Sequence, residues 1–125
     1  MVLADGCFDP IHWGHIRYLA VCASFGPVSV RVASDEAIFD KGRIPYQSHE
    51  ERMKTVAAIR SVDTVIDTTD TLAQTIRQWE PDYLVKGADW RERLPSDVLL
   101  ACTEVGTQIV FVDEQTRTST ERLQA

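Results

Sequence analysis

A chain of 125 residues, 44% of them hydrophobic, suffices for one domain (1–125) with its own core. Its formal net charge of −6 speaks against a general nucleic-acid surface, so an anionic ligand would need a local positive patch. No run of about 18 apolar residues and no signal-peptide pattern is present, so a cytoplasmic protein without membrane insertion is expected.

Val2-Leu3-Ala4 begins a short buried strand. Helical spacing from His15 to about Phe25 places Ile16, Leu19, Ala20 and Ala23 on one face, and Gly26-Pro27 ends it. Val28 to Ala33 alternates and is β-branched, a second strand. Asp35 to Tyr46 reads as a loop carrying Lys41, Gly42 and Arg43. Ser48-His49-Glu50-Glu51 is a capping box opening a helix that runs towards Ser61. Thr64–Ile66 reads as a strand, Thr71–Trp79 as a helix, Tyr83–Val85 as a strand, Asp97–Val105 as a helix ended by Gly106, and Gln108–Val112 as a fifth strand. A helical stub follows from Ser119. The three cysteines lack a metal-pair spacing; Cys22 and Cys102 read as core, as does Trp79.

Strands alternating with helices imply βαβ units and a parallel sheet covered on both faces. Ligands of such sheets bind beyond the carboxyl ends of the strands. The loops holding His12 and His15, Lys41 and Arg43, Gly87 and Asp89, and Arg117 to Thr120 all fall at that edge.

His12-Trp13-Gly14-His15 carries the strongest chemical signal. Residues three apart on a helical turn face the same way, and Gly14 lets a ligand approach the backbone. Two imidazoles at a strand-to-helix junction suit charge stabilisation during displacement at phosphorus. A metal site lacks an evident third ligand. Asp9-Pro10 allows a helix capped by Asp9; a start near Gly14 serves equally, leaving Asp9 to hold Mg²⁺ or orient the loop. Lys41 and Arg43 flank Gly42 as an anion clamp or a solvated basic loop. Arg52 and Arg60, eight apart, lie near one helix face as ligand contacts or salt-bridge partners. Asp89 is a ligand contact or a turn residue, and Trp13 and Trp90 stack on a ligand or pack in the core.

Gly6-Cys7-Phe8-Asp9 followed by His12-Trp13-Gly14-His15 resembles the signature of the HxGH nucleotidyltransferases, the cytidylyltransferase-like superfamily. Tyr46 to Arg52 and Ile59 to Ile66 look like segments of glycerol-3-phosphate cytidylyltransferases. Val85-Lys86-Gly87-Ala88-Asp89-Trp90 resembles the fourth-strand motif of that group, and also that of the adenylyltransferase domain of ADP-heptose synthesis. The resemblance implies a Rossmann-like, doubly wound α/β fold of about five parallel strands, usually dimeric. It also implies attack by a substrate phosphate on the α-phosphate of a nucleoside triphosphate, with Mg²⁺ assisting and pyrophosphate leaving.

On that resemblance His12, His15, Lys41 and Arg117 are catalytic. Gly6, Cys7, Phe8, Gly14, Lys86, Gly87 and Asp89 bind the nucleotide with Arg117, Ser119 and Thr120. Asp9, Arg43, Arg52, Arg60 and Trp90 face the substrate. The segment Arg117-Thr118-Ser119-Thr120 departs from the family pattern, lacking a Glu-Gly-Ile spacer. The resulting expectation is a cytidylyltransferase taking CTP and a phosphorylated alcohol such as glycerol 3-phosphate. The alternatives are an adenylyltransferase taking ATP and a sugar phosphate, and a nucleotide-binding paralogue with little turnover.

Overall fold

A computed structural model describes residues 1–112; Arg117, Ser119, Thr120 and the C-terminal helical stub lie outside the described residues. Five strands, β1 (Val2–Gly6), β2 (Val28–Val32), β3 (Thr64–Ile66), β4 (Tyr83–Gly87) and β5 (Gln108–Val112), form one sheet. The strand order is β3-β2-β1-β4-β5 and every neighbouring pair is parallel. The helices are α1 (Trp13–Ala23), α2 (Asp35–Asp40), α3 (His49–Ala57), α4 (Leu72–Trp79) and α5 (Ser96–Val105). This is the expected doubly wound, Rossmann-like α/β fold. Among the described residues no helix is long and apolar enough to cross a membrane.

The strands are short apolar runs because both faces of the sheet are covered. Alternation then assigns each side chain to a face. Val2, Ala4, Val28, Val30 and Val85 pack with Leu19 and Cys22 of α1 and Val56 of α3. Leu3, Ile66 and Leu84 pack on the other face with Ala73 and Ile76 of α4 and Val98, Ala101 and Cys102 of α5. Both expected core cysteines are buried, whereas Trp79, read as core, is 43% exposed. It is the last residue of α4, beyond the stripe that meets the sheet.

Several boundaries differ from the sequence reading. The segment after β2 opens with α2 instead of a loop: Ser34 Oγ accepts from the Ala37 N–H at 3.1 Å, and Asp35 and Glu36 sit at the positive end of the helix. Six residues are too few to display a helical period. Helix α3 ends at Ala57, so Arg60 lies beyond it on an exposed turn and shares no helix face with Arg52. At the start of α3, Ser48 Oγ accepts from the Glu51 N–H at 3.2 Å, but the Glu51 carboxylate takes the Ser48 hydroxyl rather than closing a capping box. A complete Thr–Gln box stands instead at α4, between Thr71 and Gln74. Asp9 caps no helix, because α1 begins at Trp13 with His12 as its N-cap.

Candidate active site

The order of strand addition reverses at β1: the chain leaves it for β2 on one side, and β4 occupies the other. The β1–β4 ladder pairs only Val2–Ala4 with Tyr83–Val85, while the ladders on either side continue to Gly6 and Gly87. The tyrosine of α1 accounts for the early stop. Tyr18 donates its hydroxyl proton to the Val85 carbonyl and accepts from the Asp5 N–H at 3.1 Å. Burial, and then the neighbouring Cys22 and Asp5, raise its pKa and keep the phenol protonated. One side chain thus satisfies two backbone groups where the strands part, and a cleft of about 710 Å³ opens above it. Tyr18→Phe leaves both groups unpaired and should cost about 1–3 kcal/mol, read as a lower urea midpoint at unchanged m-value. An unchanged midpoint would remove Tyr18 from this role.

His12 and His15 stand over one side of the cleft. His12 Nδ1 accepts from the Gly14 N–H at 3.0 Å, and His15 Nδ1 accepts from the His12 N–H at 3.2 Å. The pair is therefore a reciprocal capping box built of imidazoles. Because each Nδ1 serves as an acceptor, each neutral ring carries its proton on Nε2. The rings stack with centroids 3.8 Å apart, and His15 meets the Phe8 ring edge-on at 5.0 Å. Burial, and secondarily the charge of His12, push the His15 pKa down to about 4. His15 is thus a neutral donor at physiological pH.

An unfolded His15 titrates near 6.5 and the folded one near 4, so its contribution to stability is lost as pH falls from 6.5 towards 4. In an NMR titration the His15 Hε1 shift should stay flat from about pH 8 to 5. A midpoint near 6.5 would contradict this environment.

On the opposite wall lies a group of charges within the strands. Asp5 Oδ1 takes Arg31 Nη1 at 2.6 Å and Asp5 Oδ2 takes Lys86 Nζ at 3.1 Å. These side chains are only 10%, 9% and 7% exposed, respectively. Burial alone would raise the Asp5 pKa, but Lys86 and Arg31 outweigh it and hold the carboxylate below its ordinary value. Lys86 Nζ also sits 4.4 Å from the centroid of the Trp90 ring.

Of the residues singled out in the sequence, Gly6, Cys7, Phe8, His12, Gly14, His15, Lys41, Lys86, Gly87, Asp89 and Trp90 come together on the cleft wall. Phe8 has a positive φ of 51°, and a Cβ on Gly6 would meet its ring at 3.1 Å. At Gly87 a Cβ would fall 2.6 Å from Asp89 Oδ1, so glycine lets that carboxylate fold back over the strand end. Lys41 Nζ and Arg43 Nη2 approach Cys7 Sγ at 3.4 and 3.6 Å, putting two exposed cations at the mouth.

Asp9, Arg52 and Arg60 do not line the cleft. The Asp9 carboxylate accepts the Tyr46 and Gln47 N–H groups, each at 2.8 Å, and so ties the basic loop to the β1–α1 loop. Arg52 is fully buried; it donates to the carbonyls of Cys7, Ala33 and Gln47 and pairs with Asp35. The sequence reading missed Asp5, Tyr18 and Arg31. The available signal was a charged residue at the fourth position of each of three apolar strands: Asp5, Arg31 and Lys86.

The chain is 37% identical over 129 residues to the bifunctional protein HldE of Gluconobacter oxydans, covering 98% of this chain and 26% of that protein. It is 33% identical to the bifunctional protein HldE of Nitrosococcus oceani, covering 98% of this chain and 27% of that protein. The chain therefore spans about a quarter of the length of these relatives. Their identity corrects the expected leaning towards glycerol-3-phosphate cytidylyltransferases. Among solved structures, the lipopolysaccharide core biosynthesis protein of Thermoplasma volcanium superposes with a TM-score of 0.73 at 26% identity, covering 90% of this chain and 93% of that one. Residues 3–122 match the cytidylyltransferase-like family, and the chain belongs to that family.

Proposed function

We propose that this chain is a nucleotidyltransferase that transfers AMP from ATP to a sugar phosphate. The observation that carries nucleotidyl transfer is the reciprocal His12–His15 cap, which among the described residues leaves two Nε2–H donors free for phosphate oxygens. Adenylyl transfer to a sugar phosphate is favoured over CTP chemistry by the HldE relatives and by the likeness of Val85 to Trp90 to the adenylyltransferase domain of ADP-heptose synthesis. The likeness to a lipopolysaccharide core biosynthesis protein points the same way.

In this reading an oxygen of the acceptor phosphate attacks the α-phosphorus. The bond from that phosphorus to the bridging oxygen breaks, and pyrophosphate departs with the electron pair. His12 and His15 donate from Nε2 to the oxygens on which charge accumulates, without giving up a proton. Lys41 and Arg43 neutralise the departing pyrophosphate at the mouth. Among the described residues no cluster of three His, Cys, Asp or Glu side chains could cage a metal. Mg²⁺ entering on the triphosphate would neutralise phosphate charge and ask for one or two carboxylates at most, and Asp89 on the cleft wall is the carboxylate that would meet it.

Pyrophosphate release measured with ATP or CTP against phosphorylated sugars and alcohols tests the proposal. Release is expected with ATP and heptose 1-phosphate. Release confined to CTP with glycerol 3-phosphate would overturn the choice of base and acceptor. Nucleotide binding without release from any pair would favour the paralogue with little turnover, for which the shortened Arg117 to Thr120 segment is the motive.

A further inference from the structure

We infer that Arg31, oriented by Asp5 and seconded by Lys86, is the residue that takes the acceptor's phosphate. The identity of the acceptor rests on the reading just given; the subsite does not. Three side chains with two positive charges and one negative are nine-tenths buried together, leaving, among the described residues, one uncompensated positive charge. A buried excess charge is costly unless an opposite charge meets it. The exposed Asp89 and Asp97, the other carboxylates on the cleft wall among the described residues, bond neither cation.

The cluster also has donors to spare. Arg31 spends Nε on the Asp70 carbonyl at 3.0 Å and Nη1 on Asp5. Among the described residues its Nη2 has no partner, and Arg31 lines the cleft. Lys86 Nζ makes one hydrogen bond and keeps the rest of its donors. Thr71, Leu72 and Ala73 line the same wall, and the first N–H groups of α4 have no partner within the helix. Hence the excess charge, the idle guanidinium nitrogen and the helix start converge on one place, which calls for an anion.

Which anion follows from the side of the sheet. Strand alternation puts Asp5 with Leu3, and Lys86 with Leu84, on the α4–α5 face, and Arg31 opposite the Val30 and Val32 side chains that join the α1–α3 face. The histidines, by contrast, stand at the start of α1, with Lys41 beyond them. In-line displacement requires nucleophile and leaving group on opposite sides of the phosphorus. If the α1 side holds the triphosphate tail, the attacking phosphate enters from the Arg31 side.

The test compares wild type with Arg31→Gln and with the double variant Asp5→Asn/Arg31→Gln, which removes one charge of each sign and guards against a folding defect. With ATP and heptose 1-phosphate, both variants should raise the acceptor KM by about 30-fold or more, with kcat within about 3-fold and ATP affinity within about 2-fold. An unchanged acceptor KM, or a loss of ATP affinity instead, would overturn the assignment, as would recovery of acceptor KM in the double variant. Calorimetry with inorganic phosphate, on protein saturated with a non-hydrolysable ATP analogue, reads the subsite whatever the acceptor. Wild type should bind one phosphate, and Arg31→Gln should bind it about 10-fold or more weakly. If phosphate binding behaves so while ATP and heptose 1-phosphate give no pyrophosphate, the acceptor is wrong and the subsite stands. Equal phosphate binding by both proteins would leave Arg31 a structural ion-pair partner and defeat the inference.

Discussion

His15→Asn is expected to fold normally and to lose turnover by about 100-fold or more, as removal of a preorganised donor at a transition-state oxygen does elsewhere. The choice of asparagine separates two jobs that the imidazole performs at once. Nδ1 of His15 closes the cap by accepting the His12 N–H, whereas Nε2 is the atom that donates to phosphate in the proposed mechanism. An asparagine oxygen can stand near the Nδ1 position and keep the cap, but nothing on that side chain reaches where Nε2 was. His15→Ala removes both, so it should show the same loss of turnover plus about 1 kcal/mol of lost helix capping. Steady-state pyrophosphate release and urea unfolding on the two variants would check this. An active, stable His15→Asn protein would sink the catalytic assignment. Equal stability of the two variants would remove the capping role alone.

Arg52→Met should be the most damaging substitution for stability, at about 3–5 kcal/mol. Its side chain is 0% exposed and holds together segments that are distant in sequence. One guanidinium joins the Cys7 carbonyl in the β1–α1 loop, the Ala33 carbonyl after β2, the Gln47 carbonyl and the Asp35 carboxylate at the start of α2. Methionine fills the volume but leaves three carbonyls without a donor and Asp35 without its partner. Arg52→Lys keeps the charge but cannot reproduce the planar fork, so it should recover only part of the loss. The fall in Tm should be roughly 10–20 °C. Since Lys41 and Arg43 follow α2, the same variants should bind nucleotide more weakly even when folded. A loss below about 1 kcal/mol in urea unfolding would show that Arg52 is not the hub.

Arg52 also shows where sequence reading stops. An arginine on the polar-looking stretch His49-Glu50-Glu51-Arg52 reads as a ligand contact or a surface ion pair, because no local pattern distinguishes an arginine turned inward. Arg60 looked equivalent eight residues on, yet α3 ends three residues before it. Asp9 shows the same limit. Its neighbour Pro10 suits a helix start, but its carboxylate is taken by two backbone N–H groups 37 and 38 residues away. Periodicity reports which face is apolar; it carries no record of partners brought in by the fold.

The sequence by itself determined the parallel α/β architecture, four of the five helices, all five strands and the histidine pair at the head of the first helix. Those features depend on local alternation, capping residues and spacing, which are written in neighbouring positions. Only the tertiary structure decided that Tyr18 parts β1 from β4, that Arg52 works inside the protein, and that Asp5, Arg31 and Lys86 form one buried cluster with a charge to spare. Each of these joins residues from separate strands or helices. Their energetics come from burial and from the partner that burial supplies, which exist only once the sheet has assembled.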